Sequence, residues 1–332
     1  MEQQMASLAR YQISSFFERN TPINQQECNE CAGRITGEVV TPTPVQGGSS
    51  YTVATETCIV QFRDKDSPFD LDFVRYIEQA YKGFTPLHEG FGQLGHLHVY
   101  RMTNMGGISM YLARDALHRD DFHLLDTTIQ SLSMFFASAW HNTPAQMPRK
   151  DPSVLSREYL EKLTMLKDGL PIRFRKTLEY VISQLPRLFA EDWLQVPNHV
   201  ELLENNIHVD PETGMVTGVC DWPEAEIGPF GMSLGGLETL LGINRVKRGF
   251  CYHPKQQYLR GLFHRSLEQA MGFASADSRE RMRVAILIGL FLANGFAYKE
   301  DGSQVPAGEG SSDLAYLDVV LPQLGGLDSV KF

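Results

Sequence analysis

The stretch "PNHVELLENNIHVDPETGMVTGVCDW", residues 197–222, indicates which fold this chain is expected to adopt. It has a histidine, His199, a carboxylate two residues later, Glu201, and an asparagine five residues after that, Asn206. Two β-branched runs then flank the turn segment "DPETG", which predicts a hairpin that ends at Asp221. Phosphoryl-transfer enzymes use a carboxylate at this spacing to orient a hydroxyl, and an amide and a second carboxylate to bind a metal. The order and spacing predict a site of that kind.

We interpret Glu201 as the catalytic carboxylate and Asn206 and Asp221 as metal ligands, with Asp221 taking part in catalysis as well. His199 is expected to support the backbone of the loop. The kinase loop has Asp where this chain has Glu201. Glutamate is one methylene longer, and productive attack tolerates well under an ångström of error. The substitution therefore leaves open whether the site still moves a phosphate.

The pattern along the chain predicts an α+β, bilobal, protein-kinase-like fold. "SSYTVATE" and "TCIVQFRD" predict a hairpin, "FDLDFVRYIEQAYKG" a helix and "HLHVYRMTNMGG" a strand that runs into a hinge. Helical patterns dominate after the hinge. We expect a small strand-rich lobe at 1–104, with an N-terminal helix, a glycine-loop hairpin and a small antiparallel sheet. A larger helical lobe at 105–332 would hold the catalytic loop and the metal-binding hairpin.

The first lobe is expected to bind the nucleotide. "QGGSSYTV" predicts a glycine-bearing turn whose backbone and hydroxyl groups face phosphates. The strand "CIVQFRD" has no lysine; Gln61 is at the expected position of the cation, and Arg63 is on the same strand face. Glu78 of the following helix is the predicted partner of Arg63. The predicted nucleotide-binding residues are Gly47, Gly48, Ser49, Ser50, Gln61, Arg63, Glu78 and, at the hinge, Met102.

Composition narrows the class of protein. The 332 residues are 42% hydrophobic and 21% charged, which is ordinary for a soluble globular chain. The net charge of −10 argues against nucleic acid or an anionic membrane as the main partner. No segment reads as a transmembrane helix or secretory signal, and the five cysteines are read as reduced thiols, so we expect a cytoplasmic protein.

The segment "VPNHVELLENNIHVDPETGMVTGVCDWPEAEIGPFGMSLGGLETLLG" resembles the catalytic region of aminoglycoside phosphotransferase-like proteins, the family that includes choline kinases. The large group found in filamentous fungi is most similar, and the similarity extends over about residues 45 to 245. The resemblance implies ATP with Mg²⁺ and transfer to a small-molecule hydroxyl, with secondary metabolism as one setting. The family pattern has HGD where this chain has HVE, so Val200 replaces a glycine and Glu201 an aspartate.

Three functions are compatible with these departures. The first is an ATP- and Mg²⁺-dependent phosphotransferase that acts on a metabolite hydroxyl. The second is a repurposed scaffold in which Glu201 catalyses acid/base chemistry, such as a cyclisation, elimination or isomerisation, with a pKa set by burial. The third is a pseudokinase that binds without turnover. "MFFASAW" and "PFGMSLGG" suggest an apolar pocket wall, which would suit a rather hydrophobic metabolite.

Overall fold

The computed structural model describes residues 2–245 and 248–325 as an α+β protein with a strand-rich sheet followed by a larger helical part. The predicted fold class is confirmed. The helices are α1 (Glu2–Arg19), α2 (Gln25–Thr36), α3 (Leu71–Ala80), α4 (Met110–Leu117), α5 (His123–Asn142), α6 (Pro152–Gly169), α7 (Ile172–Gln184), α8 (Leu237–Leu240), α9 (Gln256–Met271), α10 (Ala276–Asn294) and α11 (Ser312–Leu324). The strands are β1 (Thr41–Pro42), β2 (Ser50–Ala54), β3 (Cys58–Arg63), β4 (His88–Leu94), β5 (Leu97–Thr103), β6 (Ile108–Ser109), β7 (Gln195–Asn198), β8 (Ile207–Val209), β9 (Val216–Val219), β10 (Glu226–Pro229), β11 (Gly242–Arg245), β12 (Gly249–Tyr252), β13 (Phe296–Tyr298) and β14 (Gln304–Pro306).

The first five strands form one antiparallel sheet in the order β1-β2-β3-β5-β4. The predicted hairpin is β2 and β3, which pair in a register that places Val53 opposite Val60. These valines are buried, as alternation in a half-buried strand requires. Strand β4 was missed because its residues are mostly exposed and include two glycines, so it has no apolar alternation.

Two helices precede the sheet where one was predicted. The second, α2, begins with a capping box formed by Asn24 and Glu27 and ends at Gly37, whose φ is +75°. Phe16 of α1 and Cys28 of α2 pack in the same buried cluster as Tyr51 and Val53 of the sheet. The first helices therefore cover one face of the sheet.

Helix α3 joins the sheet to the helical part. Ile77, Ala80 and Tyr81 belong to the buried core of the helical part and not to the core of the sheet. The Tyr81 hydroxyl donates to the Pro197 carbonyl at 2.6 Å, and Ser138 Oγ of α5 donates to the Ala80 carbonyl at 2.9 Å. These contacts set the position of α3 against the strand that leads into the catalytic loop.

The short strands of the helical part carry the candidate site. β6, β8 and β9 form one antiparallel sheet, and β7 pairs with β10. The predicted hairpin of β8 and β9 is confirmed, and its turn has Gly214 at φ +76°. A Cβ at Gly214 would lie 2.2 Å from the Leu124 carbonyl oxygen, so the turn approaches α5 closely enough to require glycine. Among the described helices, none is long and apolar enough to cross a membrane.

Candidate active site

The catalytic loop and the end of the β8–β9 hairpin are tied together by His199. This residue follows β7, and its ring is buried. Its Nε2–H donates to the Cys220 carbonyl at 2.8 Å, and its ring meets Trp222 edge-on with centroids 4.7 Å apart. Burial lowers the pKa of His199, which favours the neutral ring. Its hydrogen bond supports the backbone at the end of the hairpin, and its support of the loop that follows it stays a prediction.

Asn206 and Asp221 are brought to the same place by backbone pairing. The Cys220 N–H donates to the Asn206 carbonyl at 2.8 Å, so the residue before Asp221 is bonded directly to Asn206. The Asn206 side chain donates from Nδ2 to the Glu201 carbonyl at 2.9 Å. Because Nδ2 makes this bond, Oδ1 is the amide atom that remains available to a ligand.

The two side chains fit a hard cation. Within the described chain no donor reaches Asn206 Oδ1 or the exposed Asp221 carboxylate, so both oxygens are available. Magnesium binds through one or two carboxylates with other oxygen ligands and retains several waters. The described residues include no group of three or more His, Cys, Asp or Glu side chains that could hold a metal. A metal at Asn206 and Asp221 would therefore need water or phosphate oxygens to complete its coordination.

Glu201 lies on the exposed side of the loop. Its backbone carbonyl accepts hydrogen bonds from Asn206 Nδ2 and from the Leu203 N–H at 2.9 Å, which holds the loop in a tight turn. Val200 and Leu203 are about half exposed on either side of it. Val200 does not have a positive φ. The backbone of this loop therefore does not require glycine at position 200.

The side chain of Arg63 is buried at the end of β3. Its Nε donates to the Ser67 carbonyl at 2.6 Å, and its other nitrogens donate to Ser67 Oγ at 2.8 Å and to Gln61 Oε1 at 3.1 Å. The guanidinium also lies over the Phe69 ring, 4.5 Å from the centroid. Burial lowers the pKa of Arg63, while the nearby carboxylates of Asp221 and others act in the opposite direction.

The predicted pairing of Arg63 with Glu78 is wrong. Glu78 Oε1 accepts from both the backbone N–H and Nδ1 of His88, at 2.7 and 3.0 Å. No ion pair joins Glu78 to Arg63 in the described part of the chain. The reason is that β4, which was not predicted, places His88 against α3 and occupies the carboxylate.

Solved structures of small-molecule kinases share this architecture. A choline/ethanolamine kinase family protein from Mesorhizobium loti is 15% identical, with a TM-score of 0.52 over 92% of this chain and 95% of that one. A candidate aminoglycoside phosphotransferase from Ralstonia eutropha JMP134 is 11% identical, with a TM-score of 0.54 over 90% of this chain and 96% of that one. The chain has the fold of these kinases. No protein-family model matches the sequence, and no curated protein does either.

A further structure with this kinase-like fold is that of an aminoglycoside phosphotransferase from Streptomyces rimosus, in complex with ADP and streptomycin. It is 14% identical, with a TM-score of 0.45 over 77% of this chain and 94% of that one. The likeness to the two kinase structures with TM-scores above 0.5 shows the fold alone.

The glycine-bearing turn lies in the loop between β1 and β2, where the kinase-like sheet begins. Gly47, Gly48 and Ser49 are exposed, while Ser50 is buried at the start of β2. The position of the turn agrees with the predicted order of parts. Phosphate binding by its backbone remains a prediction.

Gln46 is a residue of this loop that the sequence did not single out. Its buried amide donates from Nε2 to the Thr43 and Thr52 carbonyls at 3.0 and 2.8 Å, and it accepts from the Thr52 N–H at 3.0 Å. These bonds join the two arms of the turn. The sequence shows a glutamine immediately before two glycines. That pattern does not indicate which groups the glutamine side chain would contact.

Arg114 and Glu204 form a second contact that sequence analysis missed. Arg114 of α4 makes a bidentate ion pair with Glu204 of the catalytic loop, with one Nε–Oε1 distance of 3.3 Å. The Tyr111 N–H also donates to the Glu204 carbonyl at 3.3 Å. The charge in the loop was visible in the sequence, but its partner is 90 residues away.

The remaining residues of the predicted site lie in β5, in β3 and in the segment after β9. Met102 is buried in β5, between Ile59 and His88 of the neighbouring strands, and its role in nucleotide binding remains a prediction. Gln61 is partly exposed; besides accepting from Arg63, it donates to Thr52 Oγ1 at 3.1 Å. Glutamates that follow Asp221, Glu224 among them, are exposed.

Proposed function

We propose that this protein transfers a phosphoryl group from ATP–Mg²⁺ to the hydroxyl of a small, rather apolar metabolite. The observation that carries the proposal is the Cys220–Asn206 backbone bond, which brings Asn206 and Asp221 together, and beside it stands the buried guanidinium of Arg63 at the end of β3. These groups are two oxygen ligands and one buried cation, which is what positioning and neutralising a triphosphate require.

Each residue has a distinct role in this proposal. Bound Mg²⁺ would supply neutralisation of phosphate charge, with Asn206 and Asp221 as its protein ligands. Arg63 stabilises negative charge on the phosphates, and the exposed turn of Gly47 and Gly48 offers backbone N–H groups. Glu201 accepts the proton of the acceptor hydroxyl.

The acceptor is proposed to be apolar because of the residues beside Glu201. Val200 and Leu203 are exposed next to the catalytic carboxylate, and burying them against an apolar ligand is favourable. A place in secondary metabolism is part of the same proposal.

The alternative of acid/base chemistry is less well supported than phosphotransfer. It required Glu201 to be buried, because burial was to set the pKa of the carboxyl group. The side chain is exposed. Phosphotransfer to a hydroxyl is therefore the function that the geometry supports best.

Nucleotide binding is tested by thermal unfolding with ATP, Mg²⁺, both or neither. We expect a clear increase in Tm only with both, since a ligand at a hundred times its Kd stabilises by about 2.7 kcal/mol. Asp221→Asn should remove the part of the increase that depends on Mg²⁺. Glu212→Gln, an exposed charge change in the hairpin turn, is the control and should keep it. No increase in the wild type would contradict the proposal.

Turnover separates an active kinase from a pseudokinase. Glu201→Gln keeps the shape of the side chain and removes the base, so ATP-dependent phosphorylation should fall on the order of 10²–10⁴-fold. Glu201→Asp should retain ATP-dependent turnover, because aspartate is the base in the related loop. Product formation is measured with ATP–Mg²⁺ present and absent. Turnover that does not depend on ATP and is lost in Glu201→Asp would contradict the phosphotransferase assignment.

A further inference from the structure

A cavity of about 450 Å³ lies between α3, α6 and β10. Its apolar wall is formed by Phe73 of α3, Leu155 and Tyr159 of α6 and Ile227 of β10. This volume is in the range of sites that hold small organic molecules. The volume suits a molecule with one or two rings.

The cavity and the candidate active site share the β7–β10 strand pair. Glu226, which lines the cavity, is five residues after Asp221. In the β7–β10 pair it lies opposite Asn198, three residues before Glu201. The same strand pair therefore carries a cavity wall on one strand and leads into the catalytic loop on the other.

The lining has an excess of basic side chains. Arg149, Lys150 and Lys162 contribute three cations, while Glu158 and Glu226 contribute two carboxylates. Lys150 is paired with Glu158 at 2.8 Å. Arg149 and Lys162 have no ion-pair partner in residues 2–245 and 248–325. Two cations beside an apolar wall are thus available to an anionic ligand.

Tyr159 adds a polar group to the same wall. Its ring is buried, and its hydroxyl lies so close to β10 that a Cβ at Gly228 would be 2.6 Å from the oxygen. No residue of the described chain hydrogen-bonds to this hydroxyl. It can therefore donate to, or accept from, a molecule in the cavity.

We propose that this cavity binds the acceptor as an apolar acid, with a carboxylate held by Arg149 and Lys162 and its hydrocarbon body against Phe73, Leu155 and Ile227. Its hydroxyl is directed towards the catalytic loop. The role as acceptor rests on the proposed phosphotransfer, whereas the preference for an anion rests on the cavity alone. Glu226 disfavours a second negative charge and can accept a hydrogen bond from a ligand hydroxyl.

Three probes of one shape test the charge preference without nucleotide: 2-naphthoate, 2-naphthylmethanol and 2-naphthylmethylammonium, titrated into the full chain by calorimetry. We expect 2-naphthoate to bind at least about fivefold more tightly than the neutral alcohol, because charge-assisted hydrogen bonds are the stronger ones. The ammonium probe should bind most weakly. In Arg149→Gln/Lys162→Gln the acid and the alcohol should bind equally.

The matched control is Arg157→Gln/Lys167→Gln, which removes the same two charge types from positions of α6 outside the cavity lining. It should keep the full preference for the acid, and thermal unfolding should show both double variants folded. A preference for the ammonium probe, a preference for the acid that survives Arg149→Gln/Lys162→Gln, or no binding of any probe at millimolar concentration would each overturn the proposal. Failure of ATP-dependent turnover would instead overturn the phosphotransfer and leave the anion preference standing.

Discussion

At position 221 the backbone adopts a conformation that an aspartate rarely takes. Asp221 has φ +67°, in the left-handed region, which costs on the order of 1–3 kcal/mol for a residue that is not glycine. The His199–Cys220 and Cys220–Asn206 bonds hold the chain immediately before it. The strain is therefore compensated by neighbouring contacts. Strained residues of this kind concentrate at functional sites.

A residue-scale prediction concerns Arg63. If its guanidinium neutralises phosphate charge, Arg63→Met, which keeps the aliphatic stem, should weaken ATP–Mg²⁺ binding roughly tenfold or more, since a hydrogen bond to a charged group is worth about 1.5–3 kcal/mol. Arg63→Lys should lose less affinity, because lysine keeps the charge but cannot make both hydrogen bonds to Ser67. Calorimetric titration of ATP–Mg²⁺ measures both.

Arg101→Met is the control for Arg63. Arg101 is on β5 of the same sheet, where it is partly exposed and paired with Glu89 at 2.8 Å. Its removal should leave nucleotide affinity within about twofold, because surface ion pairs contribute little. Equal losses in Arg63→Met and Arg101→Met would contradict a specific role for Arg63.

At the scale of elements, α3 and α4 hold the catalytic loop from two sides. α3 is fixed to the strand before the loop by the Tyr81–Pro197 bond, and α4 is fixed to the loop itself by the Arg114–Glu204 ion pair. Apart from Phe73 of α3, which lines the proposed acceptor cavity, neither helix contributes a residue proposed to contact substrate or metal. Their packing positions Glu201 and Asn206, so changes in these helices should affect the loop at a distance.

The Arg114–Glu204 pair gives the prediction at this scale. The side chains are 16% and 15% exposed, so either Arg114→Met or Glu204→Met leaves a largely buried charge without its partner. Each single change should lower the free energy of unfolding by about 1.5–3 kcal/mol. The double variant should be less destabilised than the sum of the two, with a coupling energy above about 1 kcal/mol in urea unfolding.

The exposed pair of Arg75 and Asp72 on α3 is the comparison. Its side chains are 66% and 88% exposed, and its coupling energy should stay below about 0.5 kcal/mol. Additive effects at Arg114 and Glu204, as small as those of the α3 pair, would show that the loop does not depend on α4.

At the scale of the whole molecule, buried imidazoles make stability depend on pH. Burial lowers the pKa of each of five histidines, His118, His199, His208, His253 and His264. The unfolded chain then binds protons below pH 6.5 that the folded chain does not bind. The folded state is therefore destabilised as the pH falls from about 6.5.

We expect the free energy of unfolding to decrease between pH 7.5 and 5.5, before most carboxylates titrate. His264, whose pKa is lowered to about 4, should alone account for about 1.4 kcal/mol by pH 5.5. Urea unfolding at several pH values measures the slope. His264→Leu should make it shallower, whereas His123→Leu, at an exposed position, should not. A flat profile over this range would contradict the prediction.

Local sequence determined the parts of this protein whose structure depends on neighbours in the chain. The turn "DPETG" between apolar runs predicted the hairpin before Asp221, because turn and strand preferences act over a few residues. The catalytic role of the loop that holds His199, Glu201 and Asn206 stays a prediction. The order of strands, hinge and helices likewise indicated the α+β fold.

Only the tertiary structure decided which charged and polar side chains meet. Arg63 was predicted to bind Glu78. In the folded chain Glu78 is instead hydrogen-bonded to His88, and Arg63 to Ser67. Arg114 and Glu204 pair across 90 positions. A long polar side chain can reach several partners, and its choice depends on how helices and strands pack, which is set by the buried core and not by the residues beside it.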